Sequence, residues 1–137
     1  MPRIDGLLET ALYVDDMERA ACFYERVMGL EAMFRSDRLT AFDAGDRGVL
    51  LVFRRGASTE DMATPAGTIP GHDGAGPLHM AFRIAAAELE AWRRHLPGHG
   101  VPIHSEVTWP RGGTSLYFHD PDGHVIELAT PGLWANY

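Results

Sequence analysis

Apolar residues recur with two different periods along this chain, and the periods alternate in the same order twice. Residues 7–14 alternate, with Leu8, Leu12 and Val14 on one face and Glu9, Ala11 and Tyr13 on the other, which is the two-residue period of a strand. Residues 17–28 follow the helical period, with Ala20, Phe23, Tyr24 and Val27 on the inner side. Asp15 or Asp16 offers the N-cap, Glu18 stands at capping-box spacing from Asp15, and Gly29 stops the helix. Three short strands are predicted at 30–36, 38–44 and 48–55, with turns at Asp37 and at Ala44, Gly45 and Asp46. Residues 56–77 are rich in Gly, Pro, Thr and Ala and read as a linker without regular structure, long enough to serve as a binding loop.

The pattern then restarts. Residues 78–84 alternate, with Leu78, Met80, Phe82 and Ile84 opposite His79, Ala81 and Arg83. A helix is predicted at 86–96, stopped by Pro97 and Gly98, and strands at 102–108, 113–119 and 124–130. Asp120, Pro121, Asp122 and Gly123 make a strong turn between the last two. Strand, helix, three strands thus occurs twice. The expected fold is α+β, with two βαβββ modules of mixed sheets, module one at 7–55 and module two at 78–130, inside a single domain spanning 1–137. One helix covers one face of each sheet, and the two bare faces are expected to enclose a cavity. Those bare faces carry residues odd for a core: Glu9, Tyr13, His79, Arg83, Ser115, Tyr117, His119 and Glu127. Leu116 and Phe118 point the other way, toward the helix.

Composition narrows the chemistry. The net charge of -7 argues against nucleic acid or an anionic membrane surface as partner. No apolar run approaches the roughly 20 residues that span a bilayer, and the first residues lack a signal-peptide pattern, so a cytoplasmic protein is expected. The lone Cys22 cannot form an intrachain disulfide and reads as a small buried thiol on the first helix. All 12 Lys and Arg residues are arginine. Lysine Schiff bases and a lysine-bearing phosphate loop are therefore excluded, and His, Asp, Glu and Tyr remain as acid–base candidates.

Three stretches carry a resemblance: LLETALYVDDMERAACFYERVMGL over 7–30, GPLHMAFRI over 76–84 and SLYFHDPDGHVIELATPG over 115–132. Together they resemble the vicinal oxygen chelate superfamily, which includes glyoxalase I, extradiol dioxygenases, fosfomycin-resistance proteins and bleomycin-binding proteins. The resemblance implies a glyoxalase-like fold and a divalent metal held by Glu9, His79 and Glu127. Glu9 departs from the His or Gln common in the family, although a carboxylate also ligates. Some members have a fourth ligand; aligning Gly48 with Gly123 puts Val52 at that position, so none is expected here. Two carboxylates and one imidazole favour Mn²⁺, Fe²⁺, Ni²⁺ or Zn²⁺ over soft copper sites. Three protein ligands leave open positions for a substrate.

The resemblance also supplies expectations for the surroundings. Tyr117 is placed as a catalytic hydroxyl beside the metal, and Ser115 as a substrate contact, because the Ser-x-Tyr-Phe run resembles the phosphonate-contacting stretch of fosfomycin-resistance enzymes. With no lysine, Arg54, Arg83 or Arg111 would supply positive charge. His72 is a candidate lid residue or general base near neutral pH. His119 is expected either at the pocket mouth or at the start of the Asp120 turn, Tyr13 on the cavity face, and Trp109 with Arg111 in a loop that clamps a ligand. Trp92 is expected in the core. The implied function is a metal-dependent enzyme acting on a small oxygen-bearing substrate as a lyase, isomerase, epoxide-opening transferase or dioxygenase. The ligand set favours glyoxalase-type or epoxide-opening chemistry. The alternative is a metal-independent module that sequesters a small-molecule drug, as bleomycin-binding members do. Small members of the family are homodimers with sites across the interface; that resemblance implies Glu9 from one chain and His79 with Glu127 from the other, and the sequence leaves a site within one chain as the alternative.

Overall fold

A computed structural model describes residues 1–137. It divides into two units, 1–75 and 76–137. In the first, β1 (Glu9–Val14) leads to α1 (Met17–Arg26), then β2 (Glu31–Arg35), β3 (Leu39–Asp43) and β4 (Val49–Arg54). The sheet order is β1-β4-β3-β2, with β1 parallel to β4 and the other pairs antiparallel. Leu12, Val14, Phe42, Leu50 and Val52 lie on the face beneath α1 and are buried with Ala20, Phe23 and Tyr24 of the helix. Asp16, with extended backbone, caps α1 by accepting the Arg19 N–H at 3.0 Å. Asp15 is left to pair with Arg55 at 2.9 Å. The expectation that Cys22 is buried is overturned: it lies on the exposed side of α1, one residue off the stripe of Ala20, Ala21, Phe23 and Tyr24.

The segment 56–77 also departs from expectation. It holds a small hairpin of β5 (Met62–Thr64) and β6 (Gly67–Ile69), closed by Thr64 Oγ1 donating to the Gly67 carbonyl at 2.7 Å. Its last part folds back onto β1 and β4. Arg55 donates to the Gly74 carbonyl at 3.1 Å, the Gly56 N–H to Asp73 at 3.1 Å, and the His72 N–H to the Ser58 carbonyl at 2.7 Å. Gly74 passes so near the Tyr13 ring that a Cβ there would sit 2.4 Å from Cδ2.

The second unit repeats the plan. β7 (His79–Arg83) is followed by a 3₁₀ turn at Ala86–Glu88, α2 (Leu89–Gly98), β8 (Ser105–Thr108), β9 (Thr114–His119) and β10 (Val125–Ala129), in sheet order β7-β10-β9-β8. Met80, Leu116, Phe118, Ile126 and Leu128 are buried on one face. Pro97 does not stop α2 as its type suggests. It sits in the final turn, where a missing N–H costs one bond, and the His99 N–H closes the helix onto the carbonyls of His95 and Leu96. Trp92, expected in the core, instead lines a surface cleft of about 260 Å³ with Glu88, Ala91 and His95.

Candidate metal centre

Strand register builds the site in the second unit. Glu127 on central β10 stands opposite Ala81 of β7 and Tyr117 of β9, and Val125 stands opposite His79 and His119. His79, Glu127, Tyr117, Ser115 and Arg83 therefore share the sheet face away from the apolar core. Flanked on both sides, Glu127 is only 4% exposed. A carboxylate so placed needs donors, and it has them. Ser115 donates its hydroxyl to Oε1, and Tyr117 is hydrogen-bonded to the same carboxylate. Burial pushes the Tyr117 hydroxyl above its ordinary pKa of 10.0, and the Glu127 hydrogen bond and charge add to this against an opposing effect of Ser115. Tyr117 thus keeps its proton through the neutral range.

His79 is aimed at the same carboxylate. Its Nδ1 lies 2.9 Å from the Val125 carbonyl, which only accepts, so Nδ1 carries the proton. In the neutral ring, Nε2 then presents a lone pair 3.3 Å from Glu127 Oε2. Two lone pairs converging in this way repel unless a proton or a metal ion lies between them. The donor set of imidazole nitrogen and carboxylate oxygen fits a borderline divalent ion, and the Val125 carbonyl holds the ring as outer partners of metal-bound histidines do. His124, absent from the expected site, helps to set this geometry. It is fully buried, and its Nδ1 accepts the Leu78 N–H at 2.9 Å while the Val125 N–H donates to the Leu78 carbonyl at 2.8 Å. These bonds fix β7 beside β10 one residue before His79.

The Ser115 and Trp109 side chains are bonded to each other. Ser115 is fully buried, with its hydroxyl engaged on both sides, because the Trp109 indole N–H donates to it at 2.8 Å. His119 is exposed, about 10 Å from His79 across two strand spacings, with its ring edge-on to His104. Arg111 is exposed in the loop between β8 and β9. Arg83 stands at the end of β7 with its guanidinium 5.7 Å from the Tyr137 ring centre.

In the first unit, Glu9 opens β1 and is exposed, on the same face as Ala11 and Tyr13. The β1–β4 register revises the expected fourth-ligand position. Ala11 pairs with Leu51 as Ala81 pairs with Glu127, so Leu51, not Val52, matches Glu127. Leucine still offers no ligand. Arg54 alternates with Phe53 and so lies on the face opposite Glu9, 3.9 Å from Asp37; it leaves the candidate set. Tyr13 and His72 are brought together, with the hydroxyl 2.7 Å from Nδ1 and the His72 ring edge-on to Phe53 at 4.6 Å. Burial and, secondarily, Asp73 raise the Tyr13 pKa. This pair lies four residues along β1 from Glu9, roughly 13 Å away. Neither unit alone gathers three His, Cys, Asp or Glu side chains into a metal-holding group.

The chain is 32% identical over 131 residues to metallothiol transferase FosB of Staphylococcus saprophyticus, covering 95% of this chain and 80% of the relative. The crystal structure of a lactoylglutathione lyase from Agrobacterium tumefaciens superposes with a TM-score of 0.88 at 32% identity, covering 98% of this chain and 99% of that one. A glutamate-to-glutamine mutant of the fosfomycin resistance protein FosX from Listeria monocytogenes, solved with Mn(II) and 1S,2S-dihydroxypropylphosphonic acid, shares the fold at 23% identity and a TM-score of 0.66, covering 92% and 90% of the two chains. The family model of the Glyoxalase/Bleomycin resistance protein/Dioxygenase superfamily matches residues 6–128, and the chain belongs to that superfamily.

Proposed function

We propose that the protein is a divalent-metal-dependent enzyme acting on a small oxygen-bearing substrate, by epoxide opening or by glyoxalase-type chemistry. The observation that carries this is the convergence of His79 Nε2 and Glu127 Oε2, 3.3 Å apart, with the histidine tautomer set by Val125. His79 and Glu127 would hold the ion together with Glu9 of a second copy of the chain. When bound, the ion supplies Lewis acidity toward two substrate oxygens. Tyr117, kept protonated by burial and by Glu127, donates its hydroxyl where negative charge develops on the substrate. His72, hydrogen-bonded to Tyr13, would serve a larger substrate reaching along β1 as an acid–base group. The relatives support this reading: one is named a metallothiol transferase, another a lactoylglutathione lyase, and a third was solved with Mn(II).

The test is calorimetric titration of metal-stripped protein with Mn²⁺, Fe²⁺, Ni²⁺ and Zn²⁺, beside a Glu127→Ala variant. Binding near one ion per chain is expected, and the variant should lose it. Thiol- or water-dependent opening of an epoxide phosphonate, and isomerisation of the hemithioacetal of an α-ketoaldehyde and a thiol to the α-hydroxy thioester, would then be assayed. A wild type that takes up no ion would sink the proposal and leave metal-independent sequestration of a small molecule as the reading to pursue.

A further inference from the structure

The Trp109 indole, the Ser115 hydroxyl and the Glu127 carboxylate form a directional relay. An indole N–H only donates, so it occupies an acceptor site on Ser115 Oγ and leaves the single hydroxyl proton for another partner. That proton goes to Glu127 Oε1. Oε1 is thereby engaged, and only Oε2 faces His79. We propose that Trp109 is a positioning residue that, through Ser115, keeps Oε1 of Glu127 engaged and so presents Oε2 to the ion. This rests on the metal-dependent reading above.

The loop carrying the indole is itself held. The Trp109 N–H donates to the Gly113 carbonyl at 2.7 Å, and the Gly112 N–H to the Trp109 carbonyl at 2.9 Å. Gly113 lies against Gly132, just beyond β10, so closely that a Cβ on Gly113 would stand 2.6 Å from the Gly132 carbonyl carbon. The Thr114 N–H donates to Thr130 Oγ1 at 2.8 Å, and the Thr130 N–H to the Thr114 carbonyl at 3.0 Å. The loop is thus docked on the strand that carries Glu127, and indole and carboxylate keep a fixed separation. Without the indole, the Ser115 hydroxyl is free to turn to another acceptor and release Oε1.

The experiment uses the full chain in two states. In metal-free, ¹⁵N-labelled protein, the three tryptophans give three indole signals, with Trp109 assigned by its loss in Trp109→Phe. Hydrogen exchange at Trp109 Nε1 should be slow and should rise about tenfold or more in Ser115→Ala; unchanged exchange would overturn the relay. In metal-loaded protein, Trp109→Phe and Ser115→Ala should each weaken ion affinity by about 10-fold, the lower end for outer-sphere partners. Ser115→Thr, which keeps the hydroxyl, should restore it. The infrared splitting of the Glu127 carboxylate bands should narrow toward two-oxygen coordination in Trp109→Phe. Unshifted Trp92 and Trp134 signals certify that the variants fold. Wild-type affinity and band splitting in Trp109→Phe would overturn the positioning role. If the unaltered protein takes up no ion, the metal-dependent reading and the positioning role fall together, and slow exchange would then show only that the relay itself exists.

Discussion

Tyr117 shows how one residue can be prepared by its neighbours. Burial and the adjacent Glu127 both disfavour the phenolate, so the hydroxyl remains a donor well past neutrality. Tyr117→Phe should lower kcat about 100-fold, the effect of losing one donor to developing charge, while ion affinity by calorimetry stays at the wild-type value. In metal-free protein the Tyr117 hydroxyl should titrate above its ordinary value of 10.0, read as the tyrosinate absorbance that Tyr117→Phe loses. An equal loss of ion affinity in Tyr117→Phe would show the residue to be structural. Two-residue alternation made the shared face of His79, Ser115, Tyr117 and Glu127 legible in the sequence, because strand parity alone decides it. Alternation could not say which partner each polar group takes. Ser115 therefore read as a substrate contact, although its hydroxyl is engaged by Glu127 and Trp109. The same parity puts His124 with Ile126 and Leu128 on the buried side, where the sequence pattern assigns only packing. Its bond to the Leu78 N–H depends on β7 lying beside β10, a contact 46 residues apart in the chain. His124→Ala should cost about 1–3 kcal/mol, the penalty of a buried donor left unpaired, as measured by urea unfolding.

Elements were more legible than residues because their signals are local. α1 has an aspartate cap, a glutamate in its first turn, an arginine in its last and a compact apolar stripe. Asp16→Ala should lower stability by about 1 kcal/mol, with Asp15→Ala serving as the control that separates capping from the Arg55 pair. The β5–β6 hairpin escaped notice because its strands are three residues each, too short to establish a period, and because glycine and proline nearby read as loop. The α2–β8 connection offers a pH test. Arg93 bridges from the helix to Glu106 on β8, and this hydrogen bond holds the Glu106 carboxyl below its ordinary value of 4.5. A depressed folded-state value means that the stabilisation is fully present above the ordinary carboxylate range and is lost as pH falls through the lowered value. Glu106→Gln should lower the unfolding midpoint by at most a few degrees at pH 7, since both side chains are partly exposed. The difference from wild type should close below about pH 4. A gap that persists into acid would assign the effect to packing.

At the scale of the whole molecule, the bare faces decide how many chains make one site. Glu9 is exposed, as are His79 and Ala81, while Ala11, Val49 and Leu51 around the Glu9 face are half-exposed and apolar. Ile4, Leu7, Leu8, Met33 and Phe34 are also strongly exposed, an unfavourable surface for a lone chain of net charge -7. A second copy covering these faces would account for both the apolar exposure and the position of Glu9, and a two-fold pair repeats whatever contact it makes. Complementation separates this arrangement from a site built by one chain. Glu9→Gln and Glu127→Gln chains each lack one of the proposed ligands and should bind no ion alone. Unfolded together in equal amounts and refolded, half of the pairs become hybrids, and each hybrid holds one intact and one doubly damaged site. Ion capacity should then return to about a quarter of wild type if copies share ligands. If each chain supplies its own three ligands, every chain in the mixture remains defective and the capacity stays at zero. Sedimentation of the wild type gives the independent measure: a shared site requires a mass twice that of the 15.1 kDa chain whenever the ion is bound.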